Sequence, residues 1–356
     1  MNTTALDINF NEKGICNYCI DFEKKINEYN KNKPSLDDLI SKIKKTSKGN
    51  KYDCIIGLSG GVDSCFSVHN AVEKGLNPLV VHLDNGWNSE LAQNNIENLI
   101  KKLDVDLFTH VVNWNEYKNL MNAFFGADVL DVELLMDNAM LAINYQQASV
   151  NNLNFILAGT NISSEGMAMP KNMNWFKYDK KNIIDIAKKF GDNKINTYPI
   201  IGTYDLVKYI IIKKIKWISF LDYFDYNKFK AINLLKEKYN FKPYPYKHYE
   251  SVFTRFYQGY ILPYKFGVDK RILHYSTLII SNQIKREDAL KEIQSKHAYP
   301  SEDMLEEDKE YFLKKMNWTS NELETYIKRP PKRHDFYKSE KLLYETLLKL
   351  YKLLKF

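Results

Sequence analysis

The strongest constraint on the fold of this chain is a short apolar run that ends in a glycine-rich turn. The run Asp53–Leu58 reads DCIIGL and is followed directly by SGGVDS, residues 59–64, here called the glycine loop. An apolar run that breaks into glycines and then into a helix start predicts a buried strand followed by a tight turn. Such a turn points several backbone N–H groups at one place, where a polyphosphate can bind. The segment therefore predicts a nucleotide site on an α/β fold.

The residues of the glycine loop have candidate roles in binding a nucleotide. Gly60 and Gly61 allow the backbone to approach a phosphate closely, and Ser59 and Ser64 offer hydroxyl groups. Asp63 can hold Mg²⁺ or cap the following helix. The loop contains neither the G-x-x-x-x-G-K-[ST] nor the G-x-G-x-x-G pattern and resembles instead the PP-loop of ATP pyrophosphatases. A turn without any ligand is the alternative interpretation.

Apolar and amphipathic segments alternate after residue 52, which predicts a parallel sheet with crossover helices. Ligands of such open sheets bind beyond the carboxyl ends of the strands. We expect Asp84, Gly159 and Asn161, which follow predicted strands, to contact the nucleotide, although Asp84 also fits a simple turn. The predicted strands are Cys54–Leu58, Pro78–Leu83, Asp106–Val112 and Phe155–Ala158, and the predicted helices lie near Ser64–Lys74, Glu90–Leu103 and Leu134–Asn151.

Changes in composition along the chain predict three regions. These are an N-terminal appendage at residues 1–48, an ATP-binding α/β domain at 49–200, and a mainly helical substrate-binding region at 201–356. The apolar run Leu206–Leu221 is interrupted by lysines and predicts a packed helix, not a membrane span. The first residues lack the apolar core of a secretory signal. We therefore expect a cytoplasmic protein with no membrane partner.

The net charge of +7 identifies no particular partner. A modest excess of lysine fits a nucleotide or another anionic substrate, and it fits a lysine-rich surface equally well. No nucleic-acid partner is predicted from it.

Charged and aromatic residues are densely mixed at residues 244–258, the C-terminal polar block, and again at 265–271. In the block, His248, Glu250 and Arg255 lie among aromatic residues that must be partly buried. Such mixtures line pockets. An aromatic core with snorkelling charged groups is the alternative.

Several stretches resemble the N-acetyl sugar amidotransferases, the WbpG/PseA-like family of bacterial surface-polysaccharide and nonulosonic-acid pathways within the PP-loop superfamily. The glycine loop alone indicates only ATP use, whereas the stretch of residues 247–271 makes the resemblance specific. The matching stretches lie at 10–19, 52–64, 159–166, 247–258, 260–263, 265–271 and 286–290.

The resemblance implies an ATP-dependent conversion of a sugar N-acetyl group to an acetamidino group, in lipopolysaccharide or pseudaminic/legionaminic acid biosynthesis. The amide oxygen would attack the α-phosphorus, pyrophosphate would leave, and ammonia would displace AMP. ATP and Mg²⁺ are the implied cofactors. The implied catalytic residues are Asp63, Lys247, Glu250 and Arg255, the implied substrate-binding residues are Glu165, His248, Tyr257, Lys270 and Arg271, and Glu165 or Glu250 could serve as a base.

The resemblance also implies that ammonia comes from a separate class I glutaminase subunit. Cys54 lies within a predicted strand and Cys65 just after the loop, so we expect buried small residues there and no nucleophile elbow.

Cys16-x-x-Cys19 is half of a zinc knuckle, and tetrahedral zinc needs four ligands. The second C-x-x-C of relatives is missing near the N-terminus, so a metal-free and a zinc-bound state stay open.

Two other functions fit part of the sequence. A PP-loop tRNA-thiolating enzyme would share the adenylation step, but it would want a cysteine pair facing ATP and an RNA-binding surface. A catalytically silent nucleotide-binding scaffold for a glutaminase would not need Ser59, Asp63 and Ser64, which are present.

Overall fold

The structure, a computed structural model, describes residues 1–33, 35–191, 195–294 and 298–354. Its strands are β1 (Cys54–Gly57), β2 (Pro78–Asp84), β3 (Leu107–Val111), β4 (Phe155–Ala158) and β5 (Lys216–Ser219). Its α-helices are α1 (Asn17–Lys31), α2 (Leu36–Thr46), α3 (Val62–Glu73), α4 (Glu90–Leu103), α5 (Trp114–Gly126), α6 (Leu134–Val150), α7 (Ile162–Glu165), α8 (Lys180–Phe190), α9 (Thr203–Val207), α10 (Lys228–Tyr239), α11 (Val252–Phe256), α12 (Lys270–Ile280), α13 (Arg286–Ile293), α14 (Glu302–Met316), α15 (Ser320–Lys328) and α16 (Lys341–Leu354). Short π-helical segments cover Lys208–Ile212 and Tyr257–Phe266, and 3-10 turns cover Phe220–Tyr223 and His334–Phe336.

The five strands form one parallel sheet in the order β3-β2-β1-β4-β5. The predicted parallel α/β fold with a mainly helical C-terminal region is confirmed. The strand order reverses between β1 and β4, so a crevice opens between the carboxyl ends of these two strands. Both the glycine loop and Gly159 lie at this crevice, because each follows one of the two strands.

Two apolar cores cover the two faces of the sheet. Successive residues of a strand point to opposite faces, and Ile55 accordingly packs in one core and Ile56 in the other. The first core joins α5 and α6 to the C-terminal helices, and the second joins α2, α3 and α10. The buried crossover helices explain why the sequence of the central strands is continuously apolar.

The predicted helix over Leu206–Leu221 is wrong. The chain there forms α9, a π-helical turn, and then β5, which pairs with β4 from Phe155↔Lys216 to Ala158↔Ser219. The helical segment ends before Lys214, which has a left-handed φ of +55°, and a strand at the sheet edge tolerates the lysine that begins it. The sheet consequently continues beyond the predicted boundary at residue 200.

The N- and C-terminal regions pack against the sheet domain instead of standing apart from it. Tyr18 and Phe22 of α1 lie in the first core, and Ile43 of α2 lies in the second, so residues 1–48 are more than an appendage. Trp87 is fully buried and stacks on Phe312 of α14 with 6.2 Å between ring centroids. Among the described residues, no helix is both long and apolar enough to cross a membrane.

Candidate functional site

The glycine loop forms a compact turn at the end of β1. The backbone N–H of Ser59 donates to Ser64 Oγ (3.2 Å), and the N–H of Gly61 donates to Ser59 Oγ (3.3 Å). Gly60 has a φ of +84°, and a Cβ atom there would lie 2.9 Å from the carbonyl oxygen of Ala92. A left-handed conformation and this tight neighbour together require glycine. The two serines therefore shape the turn as well as offering hydroxyl groups.

The first turn of α3 leaves its backbone donors available. Its N-cap is Gly61, which makes no side-chain capping bond, unlike Ser89 before α4 and Asn113 before α5. The first N–H groups of a helix have no partner within the helix, and the helix dipole adds partial positive charge at this end. The start of α3 can thus accept an anion such as a phosphate.

Asp63 lies in this first turn and is bound by Tyr226, whose hydroxyl donates to Asp63 Oδ1. Burial, and then the nearby carboxylate of Glu165, raise the pKa of Asp63 above its ordinary value. A cation brought next to Asp63 would lower that pKa again and favour the charged form. The carboxyl group of Asp63 is consequently placed to bind a metal ion or a cationic side chain beside the loop.

Gly159 allows the end of β4 to pack directly on the start of α3. A Cβ atom at this position would lie 2.8 Å from the carbonyl carbon of Asp63 and 2.9 Å from the nitrogen of Ser64. These are backbone atoms and cannot move aside as a flexible side chain could. The requirement for glycine here comes from the contact between β4 and α3, and Gly159 also borders the cavity at the loop.

Backbone and side-chain bonds hold the C-terminal polar block against the glycine loop. The hydroxyl of Tyr244 donates to the carbonyl of Gly60 (2.9 Å). The N–H of Ser89 donates to the carbonyl of Glu250 (2.9 Å), and the N–H of Val252 donates to the carbonyl of Trp87 (2.8 Å). The block therefore forms one wall of the site at the loop.

Loop and block enclose a cavity of about 420 Å³, the main cavity. It extends from the start of α3 between β1 and β4 to α6, α10 and α12. Its polar lining comes from the loop (Ser59, Gly61, Asp63, Ser64), from the ends of β2 and β4 (Asn85, Asn88, Gly159, Thr160), and from Glu133, Asp137, Glu165, Lys177, Lys228, Lys247, His248, Glu250, Gln258, Lys270 and His274.

Carboxylates neutralise three of the lysines that line the main cavity. Lys247 Nζ lies 2.5 Å from Glu165 Oε1, and Lys270 Nζ lies 2.8 Å from Glu133 Oε2. Lys177 bridges Asp131 (2.6 Å) and Asp137 (2.8 Å). These pairs orient their members but leave little net positive charge for a ligand.

The pair of Lys247 and Glu165 is ionised. Burial alone would raise the pKa of Glu165 and lower that of Lys247. The attraction between the two groups outweighs burial and shifts both pKa values the other way, below the ordinary value for Glu165 and above it for Lys247. The charge of Glu165 also helps to raise the pKa of Asp63. The ion pair therefore interacts electrostatically with the carboxyl group of the glycine loop.

Glu250 stands over the loop beside two histidines. Its Oε1 lies 3.6 Å from His248 Nδ1 and would lie 3.4 Å from a Cβ atom on Gly61. Burial would raise the pKa of Glu250, but the hydrogen bond from His248 and its charge hold it below its ordinary value. Burial and nearby cations, first Lys247, keep the pKa of His274 well below its ordinary value, so His274 is neutral at pH 7.

A smaller cavity of about 280 Å³ opens beside the main one and shares Asp63, Lys228, Lys247 and His274 with it. Arg255 and Arg271 line this smaller cavity and not the main one. Arg255 is bound to Asp308 by two bonds of 2.5 and 2.6 Å, and Arg271 is bound to Asp269 at 2.8 Å. Arg255 thus ties α11 to α14 and shapes the wall of the smaller cavity.

Several residues expected at the site lie elsewhere. Tyr257 is fully buried, its hydroxyl donates to the carbonyl of Leu130 (2.6 Å), and it packs in the core without lining the main cavity. Asp84 Oδ1 accepts from the N–H of Gly86 (2.9 Å), which makes it a turn residue. Asn161 caps α7 by accepting from the N–H of Ser164 (2.7 Å). Asp and Asn side chains often bind nearby backbone groups in turns and helix caps, and that is what Asp84 and Asn161 do here.

Cys16 and Cys19 lie with their Sγ atoms 3.4 Å apart. Within residues 1–33, 35–191, 195–294 and 298–354, no group of three or more His, Cys, Asp and Glu side chains could hold a metal. The described part of the chain thus supplies no complete zinc site around this pair. Burial raises the pKa of Cys19 to about 11 and raises those of Cys54 and Cys65 further, so all three are thiols at neutral pH.

The sequence analysis missed residues that the fold brings to the loop from far along the chain. These residues lie in helices or near helix starts that contain no recognisable motif, and they are Tyr226, Lys228, Glu133 and His274. The mixture of aromatic and charged residues indicated the polar block, but nothing in the order of residues indicated that Tyr226 would reach Asp63. That pairing depends on the packing of α10 against α3.

Comparison with known proteins finds a family model that matches the C-terminal part of the chain. Residues 250–352 match the family model "LPS biosynthesis protein WbpG-like, C-terminal domain". The resemblance inferred from the sequence is confirmed for this part. A curated relative, the uncharacterized protein MJ1599 of Methanocaldococcus jannaschii, is 37% identical over 101 residues, which are 28% of this chain and 36% of that protein. The chain therefore spans about a third of the length of this relative.

Two solved structures show a distant likeness. They are NMN synthetase from Francisella tularensis, with a TM-score of 0.30, and the NH3-dependent NAD synthetase from Campylobacter jejuni in complex with the nitrate ion, with a TM-score of 0.29. Each is 15% identical and covers 57% of this chain and 91% of the other. At these TM-scores, the likeness carries no conclusion about activity.

Proposed function

Because residues 250–352 form a WbpG-like C-terminal domain, we propose that this protein is an ATP-dependent sugar amidotransferase. It would convert an N-acetyl group to an acetamidino group and produce AMP and pyrophosphate. One observation carries the proposal. The WbpG-like part contributes Glu250, Gln258, Lys270 and His274 to the same cavity that contains the glycine loop and the uncapped start of α3. A phosphate donor and an organic acceptor can therefore meet there.

The reaction proceeds by two substitutions. The amide oxygen of the acceptor attacks the α-phosphorus of ATP, so an O–P bond forms while the bond to the bridging oxygen breaks and pyrophosphate leaves. Ammonia then attacks the activated carbon, the C–O bond breaks, AMP leaves, and the nitrogen loses a proton to a base. An unactivated amide is a poor electrophile, so the first step makes the second possible.

The residues of the site divide between these steps. The N–H groups at the start of α3 and the hydroxyls of Ser59 and Ser64 bind phosphate oxygens. Lys247 and Glu165 orient the acceptor as an ion pair, and Lys270 and His248 contribute polar contacts at the cavity wall. Glu250 and Glu165 hold ammonium or take its proton.

The residues present fit Mg²⁺ bound together with ATP. Mg²⁺ is usually held by one or two carboxylates plus substrate phosphates and water, and Asp63 is the carboxylate of the glycine loop. The bound ion would neutralise charge that develops on the phosphate oxygens. The Tyr226 hydroxyl, which donates to Asp63 Oδ1, orients this carboxylate.

We further propose that ammonia is supplied by a separate class I glutaminase. The described structure supports this because Cys54 and Cys65 are fully buried and their raised pKa values keep them as thiols. A glutaminase nucleophile needs an accessible thiolate. Glutamine without an added protein should therefore not support turnover, whereas ammonium should. Turnover on glutamine alone would contradict this part of the proposal.

A panel of N-acetyl sugars, free and nucleotide-linked, with ATP, Mg²⁺ and ammonium tests the function directly. We expect release of pyrophosphate and AMP that depends on both the sugar and ammonium, and a product mass in which NH replaces oxygen. Pyrophosphate release that depends instead on tRNA and a sulfur donor would indicate the tRNA-thiolating function. No release with any acceptor would favour the nucleotide-binding scaffold.

A further inference from the structure

One lysine of the main cavity lacks the carboxylate partner that the others have. Lys177, Lys247 and Lys270 each form an ion pair. Among the described residues, the ammonium group of Lys228 has neither an ion-pair nor a hydrogen-bond partner, although the side chain lines both cavities. A charged group left without a partner in a confined site is costly unless a ligand supplies the missing contact.

Lys228 lies close enough to Asp63 of the glycine loop for the two charges to shift each other's pKa values. It is the first residue of α10, whose N-cap is Asn227, and α10 packs in the same core as α3. Tyr226, two residues earlier, is fixed to Asp63 by its hydroxyl. The segment 226–228 therefore holds both a partner for Asp63 and a free cation at the start of α3.

We propose that Lys228 binds the β- and γ-phosphates of ATP and stabilises the departing pyrophosphate. This inference rests on the proposed function. The glycine loop has no lysine of its own, so it offers backbone N–H groups and hydroxyls but no full positive charge. Lys228 supplies that charge from the start of α10, within the same cavity. A compact ammonium group binds phosphate as a point charge, in the way that the lysine of other phosphate loops does.

The electrostatic surroundings agree with this role. Burial lowers the pKa of Lys228, and Lys247 adds to the effect, while Asp63, Glu250 and Glu165 oppose it. Incoming phosphates would shift the balance toward the charged form. Because the pKa of Lys228 is lowered, a larger share of its amines is neutral and nucleophilic than in an ordinary lysine at the same pH.

The first experiment uses the wild-type chain and measures modification of individual lysines by reductive methylation, followed by peptide mass mapping. We expect Lys228 to be modified early, and we expect ATP and pyrophosphate to protect it while AMP and adenosine do not. Modification of Lys228 at the same rate with and without pyrophosphate would overturn the proposal. Exposed Lys230 on the same helix is the internal control, because no ligand should change its rate.

The second experiment compares Lys228→Gln, Lys228→Arg and the control Lys230→Gln. Loss of a hydrogen bond to a charged group predicts that Lys228→Gln binds ATP about 10- to 100-fold more weakly, with the affinity for AMP unchanged. Lys228→Arg should recover part of the ATP affinity. Equal weakening of ATP and AMP would instead show a merely structural role and overturn the inference.

The two proposals can fail separately. Wild-type protein that binds ATP but never forms AMP with any acceptor would defeat the proposed function, and the protection of Lys228 by pyrophosphate would still be measurable. Active wild-type protein with a fully active Lys228→Gln variant would leave the function standing and defeat the role of Lys228.

Discussion

The hydroxyl of Tyr244 donates a hydrogen bond of 2.9 Å to the carbonyl of Gly60, and this bond joins the two halves of the site. Tyr244 begins the C-terminal polar block, and Gly60 is the left-handed residue of the glycine loop. The same hydroxyl accepts from Asn95 Nδ2 at 3.1 Å. The conformation of the loop that follows β1 is consequently supported by a residue 184 positions further along the chain.

Replacement of Tyr244 by phenylalanine removes this support and keeps the ring. We expect Tyr244→Phe to lower the free energy of unfolding by about 1 kcal/mol. We also expect it to raise the KM for ATP because the loop is less well held. Steady-state kinetics and urea unfolding measure the two effects. Tyr204→Phe is the matched control, since Tyr204 is 72% exposed, and a larger effect there than at Tyr244 would contradict the prediction.

Asp63 is expected to matter for the reaction and not for the fold. Asp63→Asn keeps an oxygen for the Tyr226 hydroxyl and removes a half-buried carboxyl group whose charged form its surroundings disfavour, so its thermal unfolding midpoint should be no lower than that of the wild type. Pyrophosphate release should fall by roughly 100-fold or more, because the metal and phosphate contacts of the loop depend on the carboxylate. Near-native rates in Asp63→Asn or Asp63→Ala would show that these roles are misassigned.

Gly159→Ala tests the contact between β4 and α3. The new methyl group would lie 2.8 Å from the carbonyl carbon of Asp63, so the end of the strand must move away from the helix start. We expect a loss of about 1–3 kcal/mol in the free energy of unfolding and weaker ATP binding. Chemical denaturation compares it with Thr160→Ala, which changes a neighbouring exposed side chain and should alter stability much less. Unchanged stability in Gly159→Ala would contradict the observed packing.

His334 is expected to make stability depend on pH. Its Nε2 accepts from the N–H of Asp131 (3.1 Å), and burial lowers its pKa from 6.5 to about 4. Between these two values the unfolded chain binds the proton and the folded chain does not, so the contribution is complete above pH 6.5 and is lost as the pH falls toward 4. The loss is on the order of 3 kcal/mol for this group.

Denaturant unfolding at a series of pH values from neutral to acidic measures this contribution. In His334→Gln, the free energy of unfolding should fall less steeply over the same range, whatever its absolute stability. An identical slope in the variant and the wild type would mean that His334 titrates alike in both states.

The sequence by itself determined β1, the turn of the glycine loop and the start of α3, because each depends on residues that are close together in the chain. It likewise determined the alternation that builds a parallel sheet and the composition of the polar block. The run 206–221 misled because an apolar segment of that length can form a helix or a strand, and pairing with β4 selected the strand.

Only the tertiary structure decided which side chains face the loop. Asp84, Asn161 and Tyr257 have the residue types of a site, yet turns, a helix cap and core packing take up their polar groups. Tyr226 and Lys228 carry no motif, and they reach Asp63 because α10 packs beside α3. Contacts between residues far apart in the chain depend on how whole elements pack, and no local pattern encodes that packing.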